Sequence, residues 1–192
     1  LEKAAHTDGK VFPAVKVKVV DDNGNELPVG AVGELAVKGP ELFLGYIQEE
    51  FNKDSFMENG YFLTGDLGVL DPEGYVEIRG RKKDIIIRGG ENISVKEVED
   101  LLYQHPKVVQ VAIVAMPDEA MGEKACAYVV PKAGETLDLE EVKHFLAAKG
   151  IAKQKWPERL ELIDEMPMTA SGKIKKYVLR EDIRKKLQLT NQ

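Results

Sequence analysis

The hydrophobic pattern of this chain changes near residue 84, and that change limits the folds open to it. Before residue 84, apolar and polar residues alternate along residues 15–39 and 61–80, as is typical of half-buried β-strands. Asn23-Gly24 and the Asp71–Gly74 segment interrupt the alternation and predict turns. The first part of the chain is therefore predicted to be β-rich.

Beyond residue 84 the pattern takes a helical period and then becomes continuously apolar. Ser94 followed by Glu97 predicts a capping box for a helix that stops before Pro106. Residues 108–116 and 124–130 are short apolar runs separated by a turn. Such runs are typical of strands buried on both faces, and we expect these two to pair as antiparallel neighbours.

The remainder of the chain adds two helices and one strand. Asp138 caps the first of these helices and Gly150 ends it, residues 159–164 form a third strand, and residues 175–187 form an amphipathic basic helix. This order predicts an α+β fold in which helices flank a central, mostly antiparallel sheet.

A domain boundary is expected at Gly80–Asp84. This stretch is charged, begins with glycine and contributes little to a core, as interdomain linkers do. The 192 residues are enough for two small domains, which we place at residues 1–82 and 83–192. The linker would then act as a hinge.

The charge and the cysteine content limit the functions that this chain can have. With 33 acidic against 27 basic residues the net charge is −6, which argues against a nucleic-acid-binding surface. Basic clusters at residues 79–88 and 173–186 suggest a local anionic ligand, although a solvated helix face also explains much of the second. The single cysteine, Cys126, lies in an apolar run, which favours a buried thiol in a reducing, cytoplasmic compartment.

The sequence gives no indication of a metal site or of a membrane-spanning segment. The three histidines have no metal-ligand spacing, so no metal site is predicted. No apolar stretch approaches the roughly 18 residues of a membrane span, so no transmembrane segment is predicted, although the second basic cluster leaves a peripheral membrane contact open. The chain begins with Leu1 rather than methionine, which suggests a fragment.

Two turns in the first 91 residues are candidate binding sites. Asp66 follows Thr64-Gly65, where a turn can present its carboxylate to two vicinal hydroxyls of a ribose; the alternative is an Asx turn that only holds the loop. Gly89-Gly90, followed by Glu91, is expected to lead into a helix N-terminus, where a ligand can approach the main chain. A tight turn without a ligand is the alternative.

A third candidate is Lys173, in the loop of residues 166–176. Pro167 and Ser171-Gly172 favour an ordered loop that presents a long cationic side chain. A simply solvated lysine is the alternative, since lysines on turns are common. The chain has no Ser/His/Asp triad, metalloprotease motif, P-loop or GxGxxG, so it offers no complete catalytic constellation.

Taken together, these candidates and their spacing resemble the adenylate-forming acyl-CoA synthetase superfamily, which includes firefly luciferase and the adenylation domains of nonribosomal peptide synthetases. Within it the chain looks most like fatty or medium-chain acyl-CoA ligases. The resemblance is carried by residues 33–46, 60–66, 80–94, 105–123 and 167–174. It implies that residues 1–82 are the β-rich end of a large N-terminal domain and that residues 83–192 are a mobile C-terminal domain.

The resemblance also implies roles for single residues. Asp66 would bind the ribose hydroxyls of ATP or acyl-AMP, Arg81 would support that contact, and Lys83 would be the hinge. Lys173 would bridge the carboxylate and the α-phosphate during adenylation. Gly89, Gly90 and Glu91 would approach the pantetheine arm of CoA after the small domain has rotated.

The implied reaction joins a small carboxylic acid to CoA with ATP and Mg²⁺. Because the family's phosphate loop lies upstream of the residues present, the chain alone is expected to be inactive. An aryl or amino acid ligase that loads a carrier protein is the nearest alternative. A non-catalytic module that docks a partner or a membrane through the second basic cluster is the alternative outside enzymes.

Overall fold

The computed structural model describes residue 3 and residues 6–190. The chain divides into two compact units, Leu1–Lys83 and Asp84–Gln192, and each is described by itself. We call them unit 1 and unit 2.

Unit 1 is built on one five-stranded antiparallel sheet. The strands are β1 (Gly9–Lys10), β2 (Lys16–Val20), β3 (Gly33–Lys38), β4 (Phe62–Leu70) and β5 (Tyr75–Arg81), in the order β1-β5-β4-β3-β2. A four-residue helix, α1 (Glu50–Lys53), lies in the connection between β3 and β4. The alternating pattern that predicted a β-rich first part is therefore confirmed.

The turn between β4 and β5 shows how local chemistry sets the strand pairing. Asp71 Oδ1 accepts hydrogen bonds from the backbone N–H groups of Glu73 and Tyr75, at 2.8 and 2.9 Å. Gly74 adopts a φ of 83°, a value that side chains with a Cβ disfavour. The turn predicted at Asp71–Gly74 is thus present and closes the β4–β5 pair.

Unit 2 combines a second five-stranded sheet with three helices. Strands β6 (Ile86–Arg88), β7 (Glu91–Ile93), β8 (Val108–Asp118), β9 (Gly122–Pro131) and β10 (Arg159–Leu162) form the sheet, with helices α2 (Lys96–Leu102), α3 (Leu139–Ala148) and α4 (Lys176–Thr190). The path is β10-β9-β6-β7, with β8 also paired to β9. All pairs are antiparallel except β10 with β9, so the predicted α+β class is confirmed.

The sheet of unit 2 is buried on both faces, which explains the continuous apolar runs in β8 and β9. Val111 and Ile113 point into a core shared with α2 and α3, whereas Ala112 and Val114 point into one shared with α4. Because side chains alternate along a strand, one apolar run fills two cores. Asp138 caps α3 as predicted, by accepting the backbone N–H of Glu141 at 2.8 Å.

One local prediction was wrong. The Gly89-Gly90 pair does not lead into a helix but forms the two-residue turn of the β6–β7 hairpin. Both glycines have positive φ, 58° and 85°, as this kind of hairpin turn requires. Helix α2 begins at Lys96, two residues after Ser94, and Val95 between them already has helical φ and ψ of −81° and −17°.

Candidate functional site

Asp66 and Arg81 face each other on neighbouring strands of unit 1. They are register partners on β4 and β5, and Arg81 Nε lies 2.7 Å from Asp66 Oδ1. The Asp66 side chain is 24% exposed, and among the described residues its Oδ2 has no hydrogen-bond partner. The pair therefore presents one carboxylate oxygen that can still accept hydrogen bonds from a ligand.

A β-bulge orients this carboxylate. Glu34 faces Leu67 and Ala36 faces Leu63, so two steps along β3 correspond to four steps along β4. Thr64, Gly65 and Asp66 occupy the extra length, and Gly65 has a φ of 72°. Bulges commonly redirect side chains at functional sites, and this one lies at the predicted ribose-binding turn.

Hydroxyl hydrogen bonds secure the same turn. Thr64 Oγ1 donates to the Leu35 carbonyl at 2.9 Å and accepts the backbone N–H of Asp66 at 3.0 Å. The Thr64 hydroxyl therefore ties the backbone of Asp66 to the central part of β3. The Thr64-Gly65 dipeptide that marked this turn in the sequence supplies both the hydroxyl and the unusual backbone.

A buried carboxylate that the sequence did not single out lies behind the turn. Glu34 is only 7% exposed, and its Oε1 accepts the backbone N–H of Gly65 at 3.0 Å. Its Oε2 accepts Lys82 Nζ at 2.9 Å, and Lys82 also pairs with Asp22 at 2.9 Å. Hydrogen bonds to Asp22 and Glu34 raise the pKa of Lys82, which keeps its ammonium charged.

The Gly89-Gly90 turn in unit 2 is held against the start of β9. The backbone N–H of Gly89 donates to the Met121 carbonyl at 2.8 Å. A Cβ on Gly89 would come within 3.3 Å of the Met121 sulfur, whereas a Cβ on Gly90 would meet open space. Both glycines and Glu91 are exposed, so the outer side of the turn leaves the main chain accessible.

Lys173 lies in a compact turn before α4. The Thr169 backbone N–H donates to the Lys173 carbonyl at 2.8 Å, and the Lys173 N–H donates to Thr169 Oγ1 at 3.0 Å. Lys173 is exposed, and within the described part of the chain its ammonium group has no hydrogen bond or ion pair. The loop is ordered as the sequence predicts, and the lysine projects from it without a partner.

The base of this turn is fixed by a partly buried ionic network that sequence reasoning also missed. Lys176 Nζ lies 2.7 Å from Glu99 Oε1 and 3.7 Å from Asp84 Oδ2, and Arg180 pairs with Asp84. Glu99 also accepts the backbone N–H of Ile113 at 2.6 Å. Burial raises the pKa of Glu99, while the positive charge of Lys176 acts in the opposite direction.

The remaining predicted site residue, Lys83, is exposed in a short 3-10 turn, Lys82–Asp84, where the two units adjoin in sequence. Asp66 and Arg81 are thus brought together in unit 1. Lys173 and the Gly89–Glu91 segment lie on different elements of unit 2, the loop before α4 and the β6–β7 hairpin.

Three further findings bear on metal, redox and membrane chemistry. No group of three or more histidine, cysteine or carboxylate side chains suited to a metal ion occurs in the described part of the chain. Burial raises the pKa of the Cys126 thiol to about 12, so it stays protonated and unreactive near neutral pH. Within residue 3 and residues 6–190, no helix combines the length and apolar character needed to cross a membrane.

Comparison with known proteins identifies two family regions. Residues 97–173 match the AMP-binding enzyme C-terminal domain, and residues 1–47 match the AMP-binding enzyme model. The chain is 50% identical to the Medium-chain fatty-acid–CoA ligase of Escherichia coli (strain K12), over 97% of this chain and 33% of that protein. It is 47% identical to Enterobactin synthase component E of the same organism, over 94% of this chain and 34% of that protein.

A solved structure gives the same result for the fold. ATP-bound MatB from Rhodopseudomonas palustris matches with a TM-score of 0.83 and 40% identity, over 92% of this chain and 35% of that one. The chain thus spans about a third of the length of each of these three relatives. Sequence, domain matches and fold agree, so the chain belongs to the family of AMP-binding enzymes, which confirms the resemblance carried by its motifs.

Proposed function

We propose that this chain forms the C-terminal part of an ATP-dependent, AMP-forming acid–thiol ligase. In the first step a carboxylate oxygen attacks the α-phosphorus of ATP, which gives acyl-AMP and releases pyrophosphate. In the second step the thiol of CoA attacks the acyl carbon, which gives acyl-CoA and releases AMP. The observation that supports this most directly is the Asp66–Arg81 pair with its open carboxylate oxygen.

The proposed role of Asp66 is to bind the ribose of the nucleotide. A ribose offers two adjacent hydroxyl donors, and a carboxylate can accept both. Arg81 holds the carboxylate in place through the 2.7 Å contact between its Nε and Asp66 Oδ1. Asp66 and Arg81 therefore form a nucleotide-binding pair built on two rigid strands.

Lys173 is the proposed catalytic residue of the first step. A carboxylate that approaches the triphosphate is repelled by its negative charge, and a lysine ammonium offsets that repulsion as the transition state forms. A free ammonium group on an exposed turn suits this task because it is not already committed to a protein carboxylate. One such contact is worth about 3–4 kcal/mol.

Mg²⁺ is expected to reach the site with the nucleotide. This ion commonly keeps several waters and binds substrate phosphates together with one or two protein carboxylates. The described residues contain no group of three or more histidine, cysteine or carboxylate side chains that could hold a metal ion by themselves. The ATP phosphates are therefore its proposed ligands.

CoA is the proposed acceptor, and the Gly89-Gly90 turn with Glu91 is its proposed contact. A pantetheine arm is thin, and the absence of a Cβ lets it run along the main chain. The open space beside Gly90 is consistent with such an approach. The 50% identical relative is named a fatty-acid–CoA ligase, which supports a fatty acid and CoA as substrates.

Transfer to a carrier protein is the second candidate. The 47% identical relative is named for enterobactin synthesis rather than for CoA, and a carrier protein presents its thiol on the same kind of pantetheine arm. Supplying CoA and a pantetheinylated carrier protein to the same acyl-AMP distinguishes the two acceptors. An acid panel that contains fatty and aryl acids tests the substrate in the same assay.

Domain alternation completes the proposal. Residues 1–82 would belong to the large nucleotide-binding domain, and residues 83–192 would rotate about Lys83 between the two steps. Lys83 lies in the short turn where the two units adjoin in sequence, a position at which few residues absorb a rotation. Lys173 would serve the first step and the Gly89-Gly90 turn the second.

The test is acid-dependent exchange between ATP and pyrophosphate in the full-length ligase. Lys173→Ala should lower exchange by about 10²–10³ while supplied acyl-AMP is still converted to thioester. Lys175→Ala, two residues along the same loop, is the matched control and should retain exchange. Normal exchange in Lys173→Ala would contradict the proposed role, and salt-sensitive vesicle binding without any exchange in the unsubstituted protein would favour a membrane-docking module instead.

A further inference from the structure

Glu34 is a buried carboxylate in unit 1 for which neither the motifs nor the proposed reaction supplies a role. Glu34 is only 7% exposed. Burying a charge costs folding free energy unless the charge is paired and hydrogen-bonded. Glu34 lies on β3 between Gly33 and Leu35, neither of which can pair with its charge. The contacts of its two oxygens therefore indicate what it does.

The two oxygens reach the residues that adjoin the Asp66–Arg81 pair on its two strands. Oε1 accepts the backbone N–H of Gly65, the residue before Asp66, at 3.0 Å. Oε2 accepts the ammonium of Lys82, the residue after Arg81, at 2.9 Å. One rigid carboxylate thus joins the strand that carries Asp66 to the strand end that carries Arg81.

The β-bulge makes the Gly65 contact necessary. With a φ of 72° in the extra length of β4, Gly65 departs from regular strand geometry at the point where the β3–β4 register shifts. The Gly65 N–H is partly buried, and an N–H shielded from water without an acceptor costs free energy comparable to a lost hydrogen bond. Glu34 supplies the acceptor, and so it stabilises the backbone conformation from which the Asp66 side chain projects.

We propose that Glu34 is a positioning residue of the nucleotide site, which acts by holding the Gly65 turn so that Asp66 meets the ribose in the correct orientation. The inference rests on the proposed function, because it concerns affinity for ATP. It adds to that function a residue on β3 that does not touch the nucleotide.

Two substitutions of Glu34 test the effect of its side-chain length and the effect of its charge separately. Glu34→Asp keeps the charge beside Lys82 but shortens the side chain by one C–C bond, about 1.5 Å, so its oxygen no longer reaches the Gly65 N–H. Glu34→Gln is neutral but keeps the length and an amide oxygen for that N–H. Lys82 can still pair with Asp22 in this variant.

The experiment measures KM for ATP and kcat of acid-dependent exchange in the full-length ligase. Glu34→Asp should raise KM for ATP about tenfold with a smaller change in kcat, since a hydrogen bond to a charged group that orients Asp66 is lost. Glu34→Gln should stay within about threefold of the unsubstituted enzyme. Asp22→Asn, which removes the other carboxylate on Lys82 but touches nothing at Gly65, should leave both parameters unchanged.

Asp66→Asn is the reference that keeps the two proposals separate. If it leaves KM for ATP unchanged, or if the unsubstituted enzyme shows no exchange, the proposed function itself fails. If Asp66→Asn raises KM but Glu34→Asp does not, only the role of Glu34 is overturned. An increase in Glu34→Gln at least as large as that in Glu34→Asp would show that the Gly65 contact, which glutamine keeps, is not the cause, and would also overturn the role of Glu34. An increase in Asp22→Asn would show that the charge beside Lys82 matters instead, with the same consequence.

Discussion

The turns that carry Asp66 and Lys173 use the same chemistry but are anchored in different ways. In each, a threonine hydroxyl accepts the backbone N–H of the functional residue at 3.0 Å: Thr64 for Asp66 and Thr169 for Lys173. Each turn also contains a glycine with positive φ, Gly65 at 72° and Gly172 at 79°. Both turns are therefore ordered before any ligand arrives.

The difference lies in how far their hydrogen bonds reach. The Asp66 turn is bonded to Leu35 and Glu34 on β3, about thirty residues away in sequence, and both of these residues are buried. The Lys173 turn is held by bonds between Thr169 and Ser171, Gly172 and Lys173, all within five residues and exposed. The residue proposed to hold the nucleotide is thus built into a sheet, and the residue proposed to act in one step only is on a local turn.

The Lys173 turn is nevertheless mounted on a rigid base, and breaking that base gives the largest expected effect. Lys176→Met leaves the Glu99 carboxylate, whose side chain is only 15% exposed, without the ammonium 2.7 Å away. Uncompensated buried charge is strongly destabilising, so we expect unit 2 to lose about 3 kcal/mol of unfolding free energy near neutral pH. Urea denaturation measures this loss, and Lys175→Met is the matched control with a neighbouring lysine.

The pH dependence of that loss identifies its cause. Burial already raises the pKa of Glu99, so the folded state binds a proton more tightly than the unfolded state does. Unfolding free energy then falls as pH rises above the unfolded pKa of about 4.3. Without Lys176 the pKa of Glu99 rises further, so the difference between Lys176→Met and the unsubstituted chain should shrink toward pH 4. A difference that is constant with pH would mean that the loss is one of packing.

Thr64→Val tests the long-range anchor of the Asp66 turn and should have an intermediate effect. The change keeps the shape of the side chain but removes the donor to the Leu35 carbonyl and the acceptor for the Asp66 N–H. Two partly buried groups lose a partner, which costs about 1–3 kcal/mol of unfolding free energy in unit 1. Thr64→Ser, which keeps the hydroxyl, should restore most of the stability in the same denaturation experiment; failure to do so would indicate that the methyl group matters instead.

Much of the fold could be predicted because its main elements are long and regular. The apolar runs of β8 and β9 and the Asp138 cap of α3 are visible in the sequence, since each depends on neighbouring residues. The β6–β7 hairpin was missed because its strands, Ile86–Arg88 and Glu91–Ile93, are too short to show a period of two. Three residues do not distinguish a strand from the approach to a helix.

The residues of the candidate site likewise divide into those that the sequence predicted and those that it missed. Asp66, Arg81 and Lys173 stand in motifs, and the loop at Lys173 was predicted from its Ser171-Gly172 pair. Glu34 and the Lys176–Glu99 pair were missed, because their partners are distant in sequence and depend on the bulge in β4 or on how α4 packs on the sheet. Sequence patterns identify a residue from its neighbours along the chain. The residues that hold such a site residue in place can be identified only when the pairing of the strands is known.

The smallest effect on stability is expected from a substitution of Thr169. This substitution also tests the comparison of the Asp66 and Lys173 turns most directly. Thr169→Val removes the hydroxyl that accepts the Lys173 N–H, but that N–H is exposed and water can replace the lost partner. The unfolding free energy should therefore change by less than about 0.5 kcal/mol, although exchange activity should fall because the turn no longer fixes the Lys173 backbone. Thr169→Ser, which keeps the hydroxyl, is the control for both measurements. If Thr169→Val costs as much stability as Thr64→Val, the Lys173 turn is anchored as deeply as the Asp66 turn, and a lysine that acts in one step only would need a different explanation.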